Sequence, residues 1–439
     1  MANRIYLCLA HMSEAGLEQK YIQEAFDTNW VAPLGPNVNG FEEDLKAFVG
    51  QGKEVVALTT GTAAVHLSLI ACGVEPGDEV ITQSFTFCAS AHPVTYLGAT
   101  PVFVDSEKET WNMDPDLLEE AIKDRIAKTG KKPKVIMPVA LYGMPYQIDR
   151  ILEIAKRYDI PVIEDAAEGF GSCYDGQVLG TFGRYGILSF NGNKMITTSG
   201  GGALICPNKE EGERVMWYAT QARESYPYYQ HETIGYNYRM SNICAGIGRG
   251  QMTIVNEHIA HHQHVHQLDV ELFSKIDGIE VHSQPANGRY ASNYWLTSIT
   301  IDENLKIKGQ ENAYKEIITS PVGGVPAVIH AASSARTDCQ PNDNVEALRM
   351  ALEKAGIESR PLWKPMHKQP VYCRTNEKLG MRNEELSHGI IRQTSATSVA
   401  YVNGVSENIF KKGMCLPAGP WVKDEDVKRI VETIKANII

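Results

Sequence analysis

Short apolar runs alternate with helical patterns along roughly the first 205 residues of this 439-residue chain. The runs are rich in β-branched residues, and the segments between them have helical periodicity, which is typical of strands joined by crossover helices. This alternation predicts an α/β fold with a doubly wound, mostly parallel sheet. The strands are predicted at 55–58, 79–82, 101–105, 134–141, 161–165 and 186–190, and the helices at 14–28, 40–50, 62–72, 89–97, 114–129 and 147–158.

A long helical pattern without proline runs from Met240 to about Phe273. We interpret it as the connection between two domains, because a chain of this length usually forms more than one. Beyond it, residues 310–343 are rich in small and polar side chains and are predicted to be an inserted loop. The predicted organisation is an N-terminal arm at 1–20, a large domain at 21–274 and a smaller C-terminal α/β domain at 275–439.

The charge and composition limit the classes of partner. The net charge of −11 argues against nucleic acid or an anionic membrane as the main partner. No apolar run is long enough to cross a bilayer, and the first residues do not form a signal peptide. The nine cysteines show no Cys-x-x-Cys pair. We therefore expect free thiols in a reducing environment and a cytoplasmic protein.

A lysine and an aspartate at the ends of two predicted strands point to a cofactor. Lys194 follows the strand at 186–190, and Asp165 ends another strand 29 residues earlier (194 − 165). Ligands of open α/β sheets bind beyond such carboxyl ends. A lysine amine condenses with carbonyl groups, and a carboxylate beside a pyridine nitrogen keeps that nitrogen protonated. The pair predicts pyridoxal 5′-phosphate; the alternatives are a surface lysine and a helix-capping aspartate.

Two further segments fit the same cofactor. Gly61 stands where a strand runs into a helix beginning near Thr62, and the first amides of a helix attract a phosphate. Phe87 follows the next strand and offers a ring that can stack on a flat cofactor. The alternatives are an ordinary helix cap for the first segment and core packing for Phe87.

Histidines recur at helical spacing in the long helical segment. His258, His262 and His266 are each four residues apart, a spacing that can bind a metal ion. No carboxylate or cysteine set accompanies them, so we expect no metal and interpret the histidines as a solvated or interface face of the helix.

Taken together, these motifs resemble the DegT/DnrJ/StrS family of sugar aminotransferases, which are fold-type I pyridoxal-phosphate enzymes. The resemblance covers nearly the whole chain. Two further segments, 22–38 and 357–367, resemble the members that aminate C4 of UDP-4-keto-6-deoxy-N-acetylglucosamine on the route to bacillosamine-type sugars. The motifs are Thr60–Ala64, Phe87, Glu164–Glu168, Ser189–Lys194 and Gly235–Ser241.

The resemblance implies a role for each matching residue around the ring. Lys194 would bind the cofactor covalently and move the reacting proton. Asp165 would pair with the ring nitrogen, and Phe87 would stack on the ring. Glu168 would lie near the phenolic oxygen.

The resemblance also implies how the phosphate is held. Thr62, Ala63 and Ser189 would bind it from within one chain. Asn237 would reach the phosphate of a neighbouring subunit, so the active unit would be a homodimer with shared sites.

The implied reaction moves an amino group from glutamate to C4 of a UDP-linked 4-keto-6-deoxy-N-acetylhexosamine, for surface polysaccharide or glycoprotein sugars. Arg360 or Lys364 would supply a cation for the diphosphate. Trp30 or Trp363 would pack on the sugar. His367 would hydrogen-bond the sugar or a phosphate, and its alternative is a structural histidine. The alternative is that these residues only join the two domains.

Two other functions are compatible with parts of this pattern. A sugar dehydratase of the same fold typically has histidine in place of Lys194. A regulator that binds the cofactor without turnover would need a nucleic-acid surface, which the charge of −11 opposes. One departure from the subgroup, Cys8-Leu9-Ala10 where Ser-Pro-Pro is usual, concerns substrate detail.

Overall fold

The computed structural model describes residues 4–314, 339–373, 382–386 and 389–439. Its helices are α1 Leu17–Asp27, α2 Pro36–Val49, α3 Gly61–Ala71, α4 His92–Tyr96, α5 Pro115–Thr129, α6 Ile148–Tyr158, α7 Lys209–Ala219, α8 Asn242–Met252, α9 Val255–Phe273, α10 Asp343–Lys354, α11 Val405–Lys412 and α12 Asp424–Asn437. Its strands are β1 Glu54–Leu58, β2 Glu79–Gln83, β3 Thr100–Val104, β4 Val135–Met137, β5 Ile163–Asp165, β6 Cys173–Tyr174, β7 Gln177–Val178, β8 Tyr185–Ser189, β9 Gly202–Cys206, β10 Ile279–Val281, β11 Tyr290–Ala291, β12 Thr297–Ile301, β13 Arg360–Pro361, β14 Arg382–Glu385, β15 Ile391–Thr394, β16 Val399–Val402 and β17 Gly413–Leu416.

The main sheet is assembled from two hydrogen-bonded groups of strands. One has the order β1-β9-β8-β5 and the other β14-β15-β16-β3-β2-β4. Parallel bridges from Ile136 to Val162 and from Val139 to Asp165 join β4 to β5. The central strands are parallel, while β9 runs antiparallel to both β1 and β8. The predicted doubly wound, mostly parallel α/β fold is confirmed.

The central strands are buried on both faces, which explains why their sequences read as continuous apolar runs. Val80 and Ile81 of β2 and Val135 and Ile136 of β4 are completely buried. The helices beside them are amphipathic: α6, for example, buries Ile148, Ile151, Ile154 and Ala155. Local signals fix the helix ends as well. In α5, the Asp114 side chain caps the start by accepting the Asp116 and Leu117 amides, and Gly130 ends the helix in the left-handed conformation.

The predicted long helix is two helices, α8 and α9. The ladder breaks at Thr253 and Ile254, whose amides bond to carbonyls three residues earlier instead of four. Gly246, Gly248 and Gly250 lower the helix propensity of α8 just before the break. The sequence pattern did not reveal this break, because the residues on both sides of it form helices.

The C-terminal part of the chain has a sheet of its own, in the order β10-β12-β17-β13. It packs with α9, α10 and α12 around a separate apolar core. Three strands depart from the predicted division at residue 275: β14, β15 and β16 belong to this part of the chain but extend the main sheet, with β16 parallel to β3. The domain boundaries themselves stay a prediction. Most of the predicted insertion at 310–343 lies outside the described residues.

Among the described residues, no helix is both long enough and apolar enough to cross a membrane.

Candidate active site

The carboxyl ends of β5 and β8 and the start of α3 meet at one cavity of about 340 Å³. A larger cleft of about 730 Å³ lies elsewhere, between Trp111, His282 and Lys412, and contains none of the predicted catalytic residues. The cavity brings together most of the residues predicted to bind the cofactor. Its wall includes Gly61, Thr62, Phe87, Asp165, Glu168, Ser189 and Lys194, with Ser90, Trp295 and Trp363.

Asp165 lies at the deep end of the cavity, and each of its two carboxylate oxygens accepts one hydrogen bond. Its Oδ2 accepts a bond from Ser90 Oγ at 2.6 Å, and its Oδ1 accepts the Ala167 amide at 3.2 Å. Thr86 Oγ1 lies 2.8 Å from Ser90 Oγ and extends the chain of hydroxyl groups. Burial raises the pKa of Asp165, while the Ser90 bond and the Lys194 charge oppose the increase.

Lys194 projects into the cavity between an acid and an aromatic ring. Its Nζ is 3.5 Å from Glu168 Oε1 and 3.9 Å from the centre of the Trp295 ring. The side chain is only 13% exposed. The surface alternative for Lys194 is therefore wrong.

Glu168 is held by three groups around the cavity. Its Oε2 accepts the Tyr142 amide at 2.7 Å, and its Oε1 accepts Trp363 Nε1 at 3.2 Å as well as facing Lys194. Burial raises the pKa of Glu168, and the Lys194 charge opposes this shift. These contacts fix the carboxylate on the same side of the cavity as the lysine amine.

The opposite end of the cavity is the start of α3. Thr60 caps this helix, and its Oγ1 accepts the Ala63 amide at 2.9 Å. Ser189 closes against Gly61: a β-carbon on Gly61 would lie 3.1 Å from Ser189 Cβ. Gly202 is needed for the same approach, since a β-carbon there would lie 2.3 Å from the Gly61 nitrogen. The turn is therefore an ordinary helix cap, as the alternative had it, and the helix that it caps also begins at the cavity wall.

Aromatic side chains form the mouth of the cavity. Phe87 is 49% exposed, so it is not a core residue. Its ring centre lies 5.2 Å from that of Trp363. The main-chain amide of Trp363 donates to the Tyr142 hydroxyl at 2.7 Å, which fixes the position of this wall.

Several predicted site residues do not line this cavity. Ala63 is buried behind it, and Asn237 is exposed on a segment that bridges to Thr220. Trp30 is 40% exposed on the loop between α1 and α2. Arg360 pairs with Glu358 at 2.8 Å. Lys364 directly follows the wall residue Trp363 without lining the cavity itself.

His367 is placed behind the wall of the cavity. It is 4% exposed, and its Nδ1 lies 2.6 Å from Ser84 Oγ. Burial lowers the pKa of His367 to about 4, so the ring is neutral near pH 7. This placement supports the structural alternative for His367 over contact with a sugar.

Three histidines of α9, His258, His262 and His266, face the protein interior, while His264 is exposed. His258 Nδ1 lies 3.0 Å from the Met195 carbonyl oxygen, and His266 stacks on Tyr294 with ring centres 3.6 Å apart. His262 is almost completely buried. For these three residues the predicted solvated or interface face is wrong, because their rings are packed inside the chain.

Among the cavity residues that sequence reasoning missed, Ser90 contacts Asp165 and Trp295 contacts Lys194. Ser90 lies in the loop that contains Phe87, but a serine in a loop carries no signal of a bond to a carboxylate far away in sequence. Trp295 comes from the other half of the chain, and its contact with Lys194 depends on the tertiary fold.

The cavity suits pyridoxal 5′-phosphate on its donor set alone. The start of α3 and the Ser189 hydroxyl would hold the phosphate, and the buried Asp165 carboxylate would pair with the ring nitrogen. Lys194 lines the same cavity, and its amine would condense with the aldehyde. The fold and the cavity together define a pyridoxal-phosphate-dependent transferase of fold-type I.

Comparison with known proteins gives the family. The chain belongs to the DegT/DnrJ/EryC1/StrS aminotransferase family, whose model it matches over residues 13–319. It is 40% identical over 434 residues to a provisionally named pyridoxal phosphate-dependent aminotransferase, EpsN, of Bacillus subtilis (strain 168), covering 99% of this chain and 96% of that protein. Like its relatives, it is a pyridoxal-phosphate-dependent sugar aminotransferase.

Two more similarities support this placement. The chain is 31% identical over 429 residues to GDP-perosamine synthase of Escherichia coli O157:H7, covering 98% of each protein. The crystal structure of a DegT DnrJ EryC1 StrS aminotransferase from Brucella abortus aligns with a TM-score of 0.76 at 25% identity, over 96% of this chain and 95% of that one.

Proposed function

We propose that the protein transfers an amino group from glutamate to C4 of a UDP-linked 4-keto-6-deoxy-N-acetylhexosamine, in the cytoplasm. The observation that carries the proposal is the grouping of Lys194, Asp165 and Glu168 in one cavity with an aromatic mouth. The likeness of segments 22–38 and 357–367 to the bacillosamine-type enzymes supports the choice of sugar. Lys194 in the cavity argues against the dehydratase alternative.

When bound, pyridoxal 5′-phosphate supplies an aldehyde that condenses with amines and a ring that delocalises the electron pair left by a departing proton. Lys194 would hold the cofactor and carry that proton on Nζ. Asp165, fixed by Ser90, would keep the ring nitrogen protonated. Glu168, 3.5 Å from Lys194 Nζ, would limit where the amine can point.

The substrate would enter through the aromatic mouth. Trp363 and Phe87 form an apolar wall on which a cofactor or sugar ring packs. Lys364, which follows Trp363, and Arg360 are the proposed cations for the diphosphate. Trp30 remains a proposed sugar contact from outside this cavity.

We also propose a homodimer with shared sites. Exposed apolar side chains lie near Asn237 and on the loop before α2, and contiguous patches of this kind mark interfaces. They include Tyr228, Tyr229, Ile234, Trp30 and Val31. An isologous pair would bring Asn237 to the partner's phosphate site.

A test of the dimer uses two inactive proteins. Mixing Lys194→Ala with an Asn237→Ala variant should restore part of the activity, since hybrid dimers contain one site with neither change. Activity in a protein that sediments as a monomer would contradict the shared site.

A second candidate substrate is a GDP-linked 4-keto sugar. The similarity to GDP-perosamine synthase over nearly the whole chain favours it. The deciding assay gives the purified enzyme glutamate with the UDP-linked sugar, the GDP-linked sugar or a plain 2-oxo acid. Preferred turnover of the UDP sugar supports the proposal. Preferred turnover of the GDP sugar supports the second candidate, and turnover of the oxo acid alone would overturn both.

A further inference from the structure

One short segment of the C-terminal half reaches both acid–base residues of the cavity. It covers 292–295, between β11 and β12, and its side chains at Ser292, Asn293 and Trp295 are buried to 1% exposure or less. The one ionisable side chain of the segment, Tyr294, stacks on His266 and does not line the cavity. Asn293 and Trp295, in contrast, contact the loops that carry Glu168 and Lys194.

Asn293 attaches the segment to the Glu168 loop. Its Nδ2 donates to the Glu168 carbonyl at 3.0 Å and to the Phe170 carbonyl at 2.9 Å. Its own amide donates to Ser172 Oγ at 2.9 Å. Asn293 Oδ1 accepts the Trp295 amide at 2.9 Å, so the same side chain also sets the direction of the tryptophan.

Trp295 attaches the segment to the Lys194 loop. Its Nε1 donates to the Asn193 carbonyl at 2.6 Å, and its ring face lies 3.9 Å from Lys194 Nζ. An ammonium ion over a tryptophan face is attracted by the ring quadrupole, and more strongly where water is excluded. One side chain therefore fixes both the backbone before Lys194 and the direction of its amine.

The backbone between these two residues is in an unfavourable conformation. Tyr294 has φ 46°, in the left-handed region that bulky residues rarely adopt. Its ring stacks on His266 of α9 at 3.6 Å, which supports this turn from outside. Residues kept in such conformations cluster at functional sites, where the surrounding structure maintains them.

We propose that Trp295, oriented by Asn293, is a positioning residue that fixes the Lys194 amine opposite Glu168. The inference rests on the proposed role of Lys194 and adds the group that aims it. Since Trp295 and Asn293 belong to the C-terminal half, the lysine takes its working position only when the two halves are packed together. A purely structural Trp295 would lower stability without a specific effect on the lysine.

The test measures how fast the lysine captures the cofactor. The holoenzyme is stripped of pyridoxal 5′-phosphate, the cofactor is added back, and samples are fixed with borohydride and mapped by peptide mass. Trp295→Met, which removes the ring face and the N–H, should slow capture at Lys194 about 10-fold, whereas Trp295→Phe, which keeps a ring face, should stay within about 3-fold of wild type. In turnover, Trp295→Met should lower kcat with the KM for the sugar unchanged.

The matched control is Trp111→Met, another buried tryptophan that stacks on His282 outside the cavity. It should lose thermal stability and keep the wild-type rate of capture. Asn293→Asp is a second variant of the segment, nearly the same in size, and should also slow capture because it loses its donor to the Glu168 and Phe170 carbonyls.

The outcomes distinguish a failure of the positioning role of Trp295 from a failure of the proposed function. If Trp295→Met and Asn293→Asp capture the cofactor at Lys194 no more slowly than Trp111→Met, the positioning role is wrong and the proposed function stands. If borohydride fixes the wild-type cofactor to another lysine, the proposed function fails, and this inference fails with it.

Discussion

The deep end and the mouth of the cavity are built in different ways. Asp165 and Ser90 at the deep end are at most 5% exposed and hydrogen-bonded to one another. Phe87 at the mouth is 49% exposed, and its neighbour Trp363 comes from the C-terminal half. The residues of the deep end come from or near the ends of strands in the sheet. The residues of the mouth come from connecting segments, and such segments vary most among related proteins. Under the proposed function, the groups proposed to run the chemistry lie at the buried end of the cavity and those proposed to select the sugar lie at its exposed end.

The largest expected effect is at Lys194. Lys194→Ala should keep the fold and lose turnover by a factor on the order of 10³ or more, because it removes the group that moves the proton. Steady-state kinetics and circular dichroism check this. Lys20→Ala, at a lysine whose side chain is 64% exposed, should behave as wild type. A Lys194→Ala variant with more than a tenth of wild-type kcat would contradict the proposed role of Lys194 in proton transfer.

Asp165→Asn should retain the cofactor and lose about 10²-fold in kcat, the scale of removing one preorganised electrostatic partner. The amide keeps the shape of the carboxylate but not its charge. The matched control is Asp159→Asn, whose side chain is 99% exposed. An unchanged kcat in Asp165→Asn would contradict the proposal that Asp165 keeps the nitrogen of the cofactor ring protonated.

His367 tests whether the residues behind the mouth are structural. Its folded pKa of about 4 lies below the ordinary value near 6.5, so its contribution to stability is present above pH 6.5 and is lost as the pH falls toward 4. Between pH 7.5 and 5 this contribution should fall by about 2 kcal/mol, roughly 30-fold in the unfolding equilibrium.

Urea unfolding of wild type and His367→Asn at both pH values measures this difference. The variant should lose less stability on acidification than wild type, while His262, His266 and His282 contribute to both. Equal losses would show that His367 is already charged or exposed in the folded protein, as a sugar ligand in an open site would be.

Ser90→Ala should lower kcat about 10-fold, because it removes a hydrogen bond to a charged, buried acceptor. The loss should appear in the amino-transfer steps with either substrate, since the deep end serves both. Ser90→Thr keeps the hydroxyl and should recover most of the rate. If Ser90→Ala changes only the KM for the sugar, the division between the two ends of the cavity is wrong.

The smallest expected effect is at the mouth. Lys364→Ala should raise the KM for the nucleotide sugar about 5-fold and leave glutamate kinetics intact, because a partly exposed cation contributes modestly to an anion contact. Lys411→Ala, at a lysine of α11 that pairs with Glu407 at 2.7 Å and does not line the cavity, is the control. An equal change in the KM for glutamate would contradict a contact specific to the diphosphate.

Most of the main sheet and most of the deep end were predictable from sequence. Strand alternation, glycine turns and strand-end acids are local signals, and they brought Asp165, Lys194 and Gly61 into one site. Ser90 carried no signal because its partner is 75 residues away in sequence. Trp295 lies 102 residues from the Asn193 carbonyl that it binds, and only the packing of the two halves creates that contact.

The substrate side was less predictable for the same reason. The segment around Trp363 was recognised by resemblance, yet the resemblance did not distinguish the wall residue Trp363 from the buried His367 four positions later. The distinction depends on which side of a short irregular segment faces the cavity, and such segments have no periodicity from which it can be read.

The strands β14, β15 and β16, which extend the main sheet, are synthesised long after the strand that they join. β16 completes the sheet beside β3, where Val102 pairs with Val399, 297 residues later (399 − 102). At ribosomal rates of about 5–20 residues per second, β3 waits roughly 15–60 seconds for its partner. During that time an apolar strand with unpaired backbone groups is the edge of the nascent sheet, where another chain can pair with it. Chains interrupted before residue 399 therefore expose a strand edge that β16 covers in the finished protein.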